Sequence, residues 1–251
     1  MRDILAEKNV DLSQAEPALG YRLRQNHLGL VAWLPTLKGE SAGLAHLDRI
    51  TNEIARKLDC PAKPLFVPRD AGLSWAWLPL GAHRDISWNE LSNVVEQSDP
   101  SVRVCAGCVG YGIEGFRSTH RQALRTQDLA AAASSAPRFT DFSTVAPIAL
   151  MATNINDMRA WVWGVLGPLA VDDESSARLR ETAQIFLDTG CSYTATASAQ
   201  ILHKNTVQYR IRKAEEILGH PVQQGHADLE VALRAVRYLG STLLRSPRSA
   251  A

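Results

Sequence analysis

The spacing of hydrophobic and polar residues divides the chain into a mixed first part and a helical second part. Short apolar runs such as residues 27–34 predict strands, because a proline or turn residues end them. Stretches such as residues 41–58 instead repeat apolar side chains every three or four positions, which predicts one buried face of a helix. Strands and helices alternate up to about residue 143, and only helical patterns follow from Thr144. The pattern therefore predicts an α/β (α+β) domain built on one sheet, followed by an all-α domain.

Turn residues refine this division into elements. The strand-like runs 64–67 and 73–80 flank a turn at 69–72, which predicts a hairpin. Residues 11–20 are interpreted as a polar turn region, and the Gly-Pro pair at 167–168, followed by three acidic residues at 172–174, predicts an exposed linker. The other predicted strands are 102–109 and 138–142, and the predicted helices are 1–9, 41–58, 88–97, 115–133, 145–166, 177–189, 195–202 and 205–218.

The net charge is uninformative until its distribution along the chain is considered. The 251 residues include 27 basic and 26 acidic side chains, so the formal net charge is +1. From Ala177 to the last residue, however, there are ten basic residues and only six acidic ones. An acidic body followed by a basic last third favours a polyanion-binding module at the C-terminal end.

Composition excludes several classes of protein. Hydrophobic residues make up 45% of the chain and charged residues 21%, which is typical of a globular protein and not of a disordered one. The four cysteines are unevenly spaced, as suits a reducing cytosol. No apolar run approaches the ~20 residues needed to cross a bilayer. We expect a cytoplasmic protein with no membrane partner.

Three helical patterns in the last third have the lengths and spacing of a helix-turn-helix. Residues 177–189 predict an amphipathic helix that ends at Gly190, and a short helix of small residues follows at 195–202. Ser192 or Thr194 is suited to cap that short helix. On the third helix the apolar residues recur at i, i+4, i+7 and i+11, namely Val207, Ile211, Ala214 and Leu218.

The polar side of the third helix predicts a DNA-contacting surface. Amide side chains such as Asn205 and Gln208 suit base edges, adenine above all, whereas cationic side chains suit phosphates. No acidic residue lies between His203 and Ala214, and His203 itself could donate to a phosphate. The alternative without a DNA-binding function is an αα-hairpin with a solvated cationic face. The four cations without an intervening acidic residue disfavour it. The predicted base-reading residues are Asn205, Thr206, Gln208 and Tyr209, and the predicted phosphate contacts are His203, Lys204, Arg210, Arg212 and Lys213.

These residues resemble the C-terminal helix-turn-helix of PucR/CdaR-type bacterial transcription regulators. That family carries the core H-x-N-T-x-x-Y-R followed by E-x-L-G, which this chain matches at 203–210 and 216–219, with Lys204 where arginine is more usual. Upstream, residues 19–21 and 115–118 resemble the GGDEF-like domain that precedes the helix-turn-helix in this family, and residues 166–169 resemble its inter-domain junction. The resemblance implies a regulator that binds double-stranded operator DNA as a homodimer or higher homo-oligomer, and it leaves room for a small-molecule effector.

The same resemblance suggests domain limits and a test for catalysis. We expect an N-terminal helix and linker at 1–18, a GGDEF-like domain at 19–143, a helical connector and linker at 144–176, and the helix-turn-helix domain at 177–245. Cyclase chemistry needs paired carboxylates to hold metal ions. The hairpin at 69–75 offers Asp70 alone. We therefore expect a degenerate, non-catalytic domain without metal or cofactor.

Two other motifs are typical of different functions, nucleotide binding and zinc binding. Gly110, Gly112 and Gly115 spell G-x-G-x-x-G between a predicted strand and a predicted helix, so the alternative function is a nucleotide-binding enzyme or sensor. Too few strand–helix units follow for a dinucleotide fold, and the glycines are expected to serve a tight turn. Cys105 and Cys108 form a lone CxxC whose side chains would leave a strand on opposite faces, which predicts core residues and no zinc site.

Overall fold

The computed structural model describes residues 2–6, 11–35, 40–82, 85–133, 137–152, 154–224 and 226–247. Its internal contacts divide the chain into two compact units. The N-terminal unit consists of Met1–Ala131 and Ala136–Ala149, and the C-terminal unit consists of Ala132–Ser135 and Leu150–Ala251. The predicted change from mixed to helical structure is confirmed, because every strand among the described residues belongs to the N-terminal unit.

One twisted sheet forms the centre of the N-terminal unit. Its strand order is β2-β3-β1-β4-β6, and the short β5 pairs with β1. All pairs are antiparallel except β4 with β6. The predicted hairpin is confirmed as β2 and β3. The predicted strand 102–109 shortens to β4 at 103–106, and β5 at 110–111 lies outside every predicted strand. The strands are β1 (Asn26–Trp33), β2 (Leu65–Asp70), β3 (Leu73–Gly81), β4 (Arg103–Ala106), β5 (Gly110–Tyr111) and β6 (Phe139–Asp141).

Helices cover both faces of this sheet. On one face, Leu28, Leu30 and Ala32 of β1 pack with helices α3 (Glu40–Lys57) and α4 (Trp88–Gln97). On the other face, Val31 and Trp33 pack with α5 (Gly112–Ala132). This two-sided burial explains why β1 is apolar at nearly every position. The helices of this unit are α1 (Arg2–Leu5), α2 (Leu12–Leu19), α3 (Glu40–Lys57), α4 (Trp88–Gln97), α5 (Gly112–Ala132) and α6 (Phe142–Met151).

The interpretation of residues 11–20 as a turn region is wrong, because they form helix α2. The Asp11 carboxylate accepts a hydrogen bond from the Ser13 amide at the start of the helix, and Gly20 ends it with a φ of 61°. Pro17 lies inside α2, and none of the residues of α2 is fully buried. The apolar residues Leu12, Ala15 and Leu19 of α2 are only partly buried, and a short helix of this kind that contains proline is weakly signalled in sequence.

The C-terminal unit is helical throughout its described part. Its elements are α7 (Ile155–Leu166), a 3-10 turn (Gly167–Ala170), α8 (Glu174–Asp188), α9 (Tyr193–Gln200), α10 (Lys204–Leu218), α11 (His226–Leu239) and a second 3-10 turn (Gly240–Thr242). The prediction of an exposed linker holds for Pro168, Asp172 and Glu174, but it is wrong for Leu169 and Ala170 between them, which are fully buried. The buried Arg180 guanidinium donates to the carbonyl oxygens of Leu169 and Val171, and so fixes this segment against α8.

Candidate nucleic-acid interface

Each helix of the predicted helix-turn-helix begins at a capping side chain. Asp173 accepts from the Ser176 amide at 2.8 Å and starts α8 three residues before the predicted position. This hydrogen bond is the main reason why the pKa of Asp173 is lowered. Ser192 is the N-cap of α9, and His203 is the N-cap of α10. Local capping chemistry thus sets the lengths of the three helices and the three-residue break between α9 and α10.

The inward faces of these helices match the predicted ones closely. Leu179, Ala183, Phe186 and Leu187 of α8 are buried, as are Val207, Ile211 and Ala214 of α10. On α9, Thr196 is fully buried, and its hydroxyl lies 2.8 Å from that of Thr189 at the end of α8. Small residues on α9 allow the close approach of neighbouring helices, so α9 braces α10 as the sequence predicted.

The predicted DNA-contacting residues lie mainly on the solvent side of α10 and at the turn before it. Tyr209 retains 58% of its surface exposed although it is a large aromatic residue. Thr206 and Arg210 are half-buried at the flanks of this surface. The exposed members are His203, Lys204, Asn205, Gln208, Tyr209, Arg212 and Lys213. We call the seven exposed residues together with Thr206 the α10 surface.

His203 has a structural role that sequence reasoning did not assign. Its Nδ1 accepts a hydrogen bond from the Asn205 amide at 3.3 Å, which caps the first turn of α10. In a neutral imidazole an accepting Nδ1 requires the proton to sit on Nε2. The side chain is exposed, so Nε2 can donate to an outside acceptor while Nδ1 holds the helix end.

The cations of the α10 surface are less free than the sequence window indicates. Lys213 Nζ lies 2.9 Å from Glu216 Oε2, and Arg212 Nε lies 3.8 Å from Glu216 Oε1. The contact with Lys213 lowers the pKa of Glu216 and raises that of Lys213. Glu216 lies beyond the stretch from His203 to Ala214 that carries no acidic residue, but side chains three and four residues apart on a helix are neighbours, so it reaches both cations.

Arg210 differs from the other predicted phosphate contacts. Its Nη1 donates to the hydroxyl of Thr182 on α8 at 3.2 Å, and its side chain is half-buried. Thr182 is fully buried and was not among the predicted site residues. Sequence alone gives no signal for this pair, because 28 residues separate the two positions.

In the glycine motif of the N-terminal unit, the backbones of Gly110 and Gly115 lie against each other. A Cβ added to Gly115 would lie 2.1 Å from the carbonyl carbon of Gly110, and one added to Gly110 would lie 2.6 Å from the Cα of Gly115. Gly112 begins α5 with a φ of 68°, a backbone conformation that glycine adopts without strain. The first and last glycines therefore permit contact between β5 and α5, as the tight-turn interpretation expected.

The other candidate site residues of the N-terminal unit, Asp70 and Cys105, also have structural roles. Asp70 Oδ1 accepts from the Gly72 amide at 2.8 Å within the hairpin turn. Cys105 is fully buried on β4, and burial raises the pKa of its thiol. Within the described residues no three His, Cys, Asp or Glu side chains are grouped as metal ligands.

The geometry of α8, α9 and α10 defines a helix-turn-helix domain, and comparison with known proteins gives its family. The model of the PucR C-terminal helix-turn-helix domain matches residues 179–235, and that of the GGDEF-like domain matches residues 6–129. The chain belongs to the PucR family of transcription regulators, and it combines these two domains. The predicted family and fold class are thereby confirmed.

Two curated relatives are transcription regulators by name. The purine catabolism regulatory protein of Bacillus subtilis (strain 168) is 30% identical over 95 residues, which are 37% of this chain and 18% of that protein. Transcriptional activator PmfR of Paenarthrobacter nicotinovorans is 36% identical over 91 residues, which are 36% of this chain and 19% of that protein. The matched stretches thus span less than a fifth of either relative.

A solved structure and a search for membrane spans complete the comparison. The crystal structure of a regulator of polyketide synthase expression from Bifidobacterium adolescentis matches 94% of this chain and 90% of that chain, at 19% identity and a TM-score of 0.45. None of the helices in the described ranges has the length and hydropathy to cross a membrane.

Proposed function

We propose that this transcription regulator recognises specific operator sequences in double-stranded DNA through the α10 surface. The observation that carries the proposal is the division of α10 into two sides. Val207, Ile211 and Ala214 are buried against the domain and Leu218 is half-buried, while Gln208, Tyr209 and Arg212 remain exposed. A helix of this kind, braced by a shorter one, is the element that enters the major groove in helix-turn-helix proteins.

The side chains of the α10 surface divide into two roles. Asn205 and Gln208 carry amides that match adenine in the major groove, and Thr206 and Tyr209 flank them as further base contacts. Lys204 and Arg212 neutralise phosphates, and His203 donates from Nε2. Lys213 contributes less than Lys204, because its Nζ lies 2.9 Å from Glu216 Oε2, whereas the Arg212 Nε lies farther from that carboxylate, at 3.8 Å.

We further propose that the GGDEF-like domain does not catalyse a reaction. Its hairpin turn holds Asp70 in a hydrogen bond to the Gly72 amide, and residues 69–75 contain no second carboxylate to complete a metal site. The alternative function, nucleotide binding at residues 110–115, loses its support because Gly110 and Gly115 contact each other. The domain limits 1–18, 19–143, 144–176 and 177–245, a homo-oligomeric state and a small-molecule effector stay predictions.

Selection from a random duplex library, followed by footprinting, tests the proposal directly. The full chain is expected to enrich one sequence motif, and its affinity is expected to fall linearly with the logarithm of salt concentration. Lys204→Ala and Arg212→Ala each should lower that slope by about 0.9, the value for one lost phosphate contact. Lys213→Ala should lower it less.

Arg178→Ala is the matched control. Arg178 is an exposed arginine of the same domain that pairs with Glu174 on α8, outside the α10 surface. Its removal should leave the salt slope unchanged. Failure of the wild-type chain to retain any duplex at low salt, or equal slopes for all four variants and the wild type, would overturn the proposal.

A further inference from the structure

Among the predicted DNA contacts, Arg210 uses one donor, Nη1, in a hydrogen bond to a buried side chain of another helix, whereas Lys213 pairs with an exposed acid on its own helix. The Arg210 Nη1 donates to Thr182 Oγ1 at 3.2 Å. The Thr182 hydroxyl donates its own proton to the Arg178 carbonyl oxygen at 2.9 Å, so its oxygen has a lone pair left for the guanidinium. The Arg210–Thr182 hydrogen bond is therefore charge-assisted and has a defined direction.

The hydrogen bond between Arg210 and Thr182 joins the flank of α10 to α8. Arg210 lies on the flank of α10, between the buried Ile211 and the exposed Tyr209. Thr182 is fully buried on α8, and α8 and α10 pack against each other. Apolar packing between two helices is non-directional, so it resists rotation of α10 weakly. A directional bond at the flank resists that rotation.

We propose that Arg210 is a positioning residue and not a phosphate contact: through Thr182 it fixes the rotation of α10 about its axis and thus the register of the base-reading side chains. This inference rests on the proposed function, since it concerns the same surface. It predicts that a buried threonine on another helix governs DNA affinity although it lies outside the α10 surface.

Thr182→Val provides the decisive variant, because valine keeps the shape of threonine and removes the acceptor without changing any charge. We expect specific DNA affinity to fall about tenfold, the low end for the loss of a hydrogen bond to a charged group. The salt slope should stay at the wild-type value, since no phosphate contact is lost. Thr182→Ser keeps the hydroxyl and should bind as the wild type does.

Arg210→Ala completes a double-mutant cycle with Thr182→Val. Arg210→Ala alone should lower affinity by a similar factor, and the double variant should lose no more than the stronger single variant. If Thr182→Val binds DNA as tightly as the wild type while Arg210→Ala lowers the salt slope by about 0.9, Arg210 is a phosphate contact and the inference is wrong.

Hydrogen exchange of the amides at 207–214 in the full chain tests the brace without DNA. Thr182→Val and Arg210→Ala should each accelerate exchange along α10, again without additivity, while Arg212→Ala should not. Unchanged exchange in both variants would also contradict the inference. If the wild-type chain binds no DNA, the proposed function fails, whereas the exchange result still decides whether Arg210 braces α10.

Discussion

Residues 110–115 in the N-terminal unit and residues 203–213 in the C-terminal unit both match short motifs with a known chemistry. In the first, Gly110 and Gly115 lie against each other, so the space that glycine leaves is filled by the protein's own backbone. In the second, the apolar residues of α10 are buried and most polar ones face solvent. A motif thus indicates ligand binding only where its groups stay free of internal partners.

The same comparison applies within the C-terminal surface. Lys204 and Lys213 look equivalent in sequence, but Lys213 is paired with Glu216. Arg210 looks like another phosphate contact, but its donor reaches Thr182. Residues of the same type therefore differ in their availability to DNA, because the fold gives some of them an internal partner.

The largest effect is expected from Gly115→Ala. The added Cβ would meet the backbone of Gly110, which cannot rotate away, so the free energy of unfolding of the N-terminal unit should fall by about 3 kcal/mol. Chemical denaturation followed by hydrogen exchange of α5 measures it. Gly112→Ala is the control, because nothing lies within 4 Å of that position and only the strain of its positive φ, about 1 kcal/mol, is added. Equal losses in the two variants would contradict the proposed contact.

Acid should destabilise the N-terminal unit through His120. Burial and the nearby Arg69 lower the pKa of this histidine from 6.5 to about 4. Above pH 6.5 the imidazole is neutral in both states; between pH 6.5 and 4 only the unfolded chain binds the proton, so stability falls with pH by about 3 kcal/mol in total. His120→Phe should remove this part of the pH dependence, as unfolding monitored by exchange at pH 7 and pH 5 would show. A variant that keeps the full acid loss would exclude His120 as its source.

Gln208→Ala tests whether an exposed amide of the α10 surface reads a base. If the amide reads one adenine, the variant should lose about 1–3 kcal/mol of discrimination at that base position and none at the others. Competition binding with single-base variants of the selected sequence gives this profile. A uniform loss at every position would instead assign Gln208 to the DNA backbone.

The smallest effect is expected from Ile201→Gly, in the turn before α10. Ile201 adopts a left-handed conformation with a φ of 54° and leaves 93% of its surface exposed. Relief of that strain, partly offset by the greater freedom of glycine in the unfolded chain, should stabilise the C-terminal unit by about 0.5 kcal/mol. Thermal unfolding of this variant and of Ile201→Asn, which also tolerates the conformation, measures it; a clear loss of stability in both would show that the Ile201 side chain makes a contact.

The wrong predictions have two causes: a contact between residues distant in sequence, and a short helix that contains proline and whose apolar residues are only partly buried. Helix α2 was missed because it contains Pro17 and buries no residue completely. The Gly-Pro segment was expected to be an exposed linker, yet Arg180 supplies hydrogen bonds to its carbonyl groups. Glu216 was the exception, since the spacing rule for helices would have revealed its pairing with Lys213.

The sequence by itself determined the elements whose signals are local. The period of apolar residues indicated every described strand except β5, together with the helices α8 to α10 and their buried faces, and the motif residues from His203 to Gly219 indicated the family. Only the tertiary structure decided which motif residues are free, because Gly110 and Gly115, or Arg210 and Thr182, meet through packing. Periodicity depends on neighbours along one element, whereas the availability of a donor or of space depends on atoms that the fold brings from elsewhere.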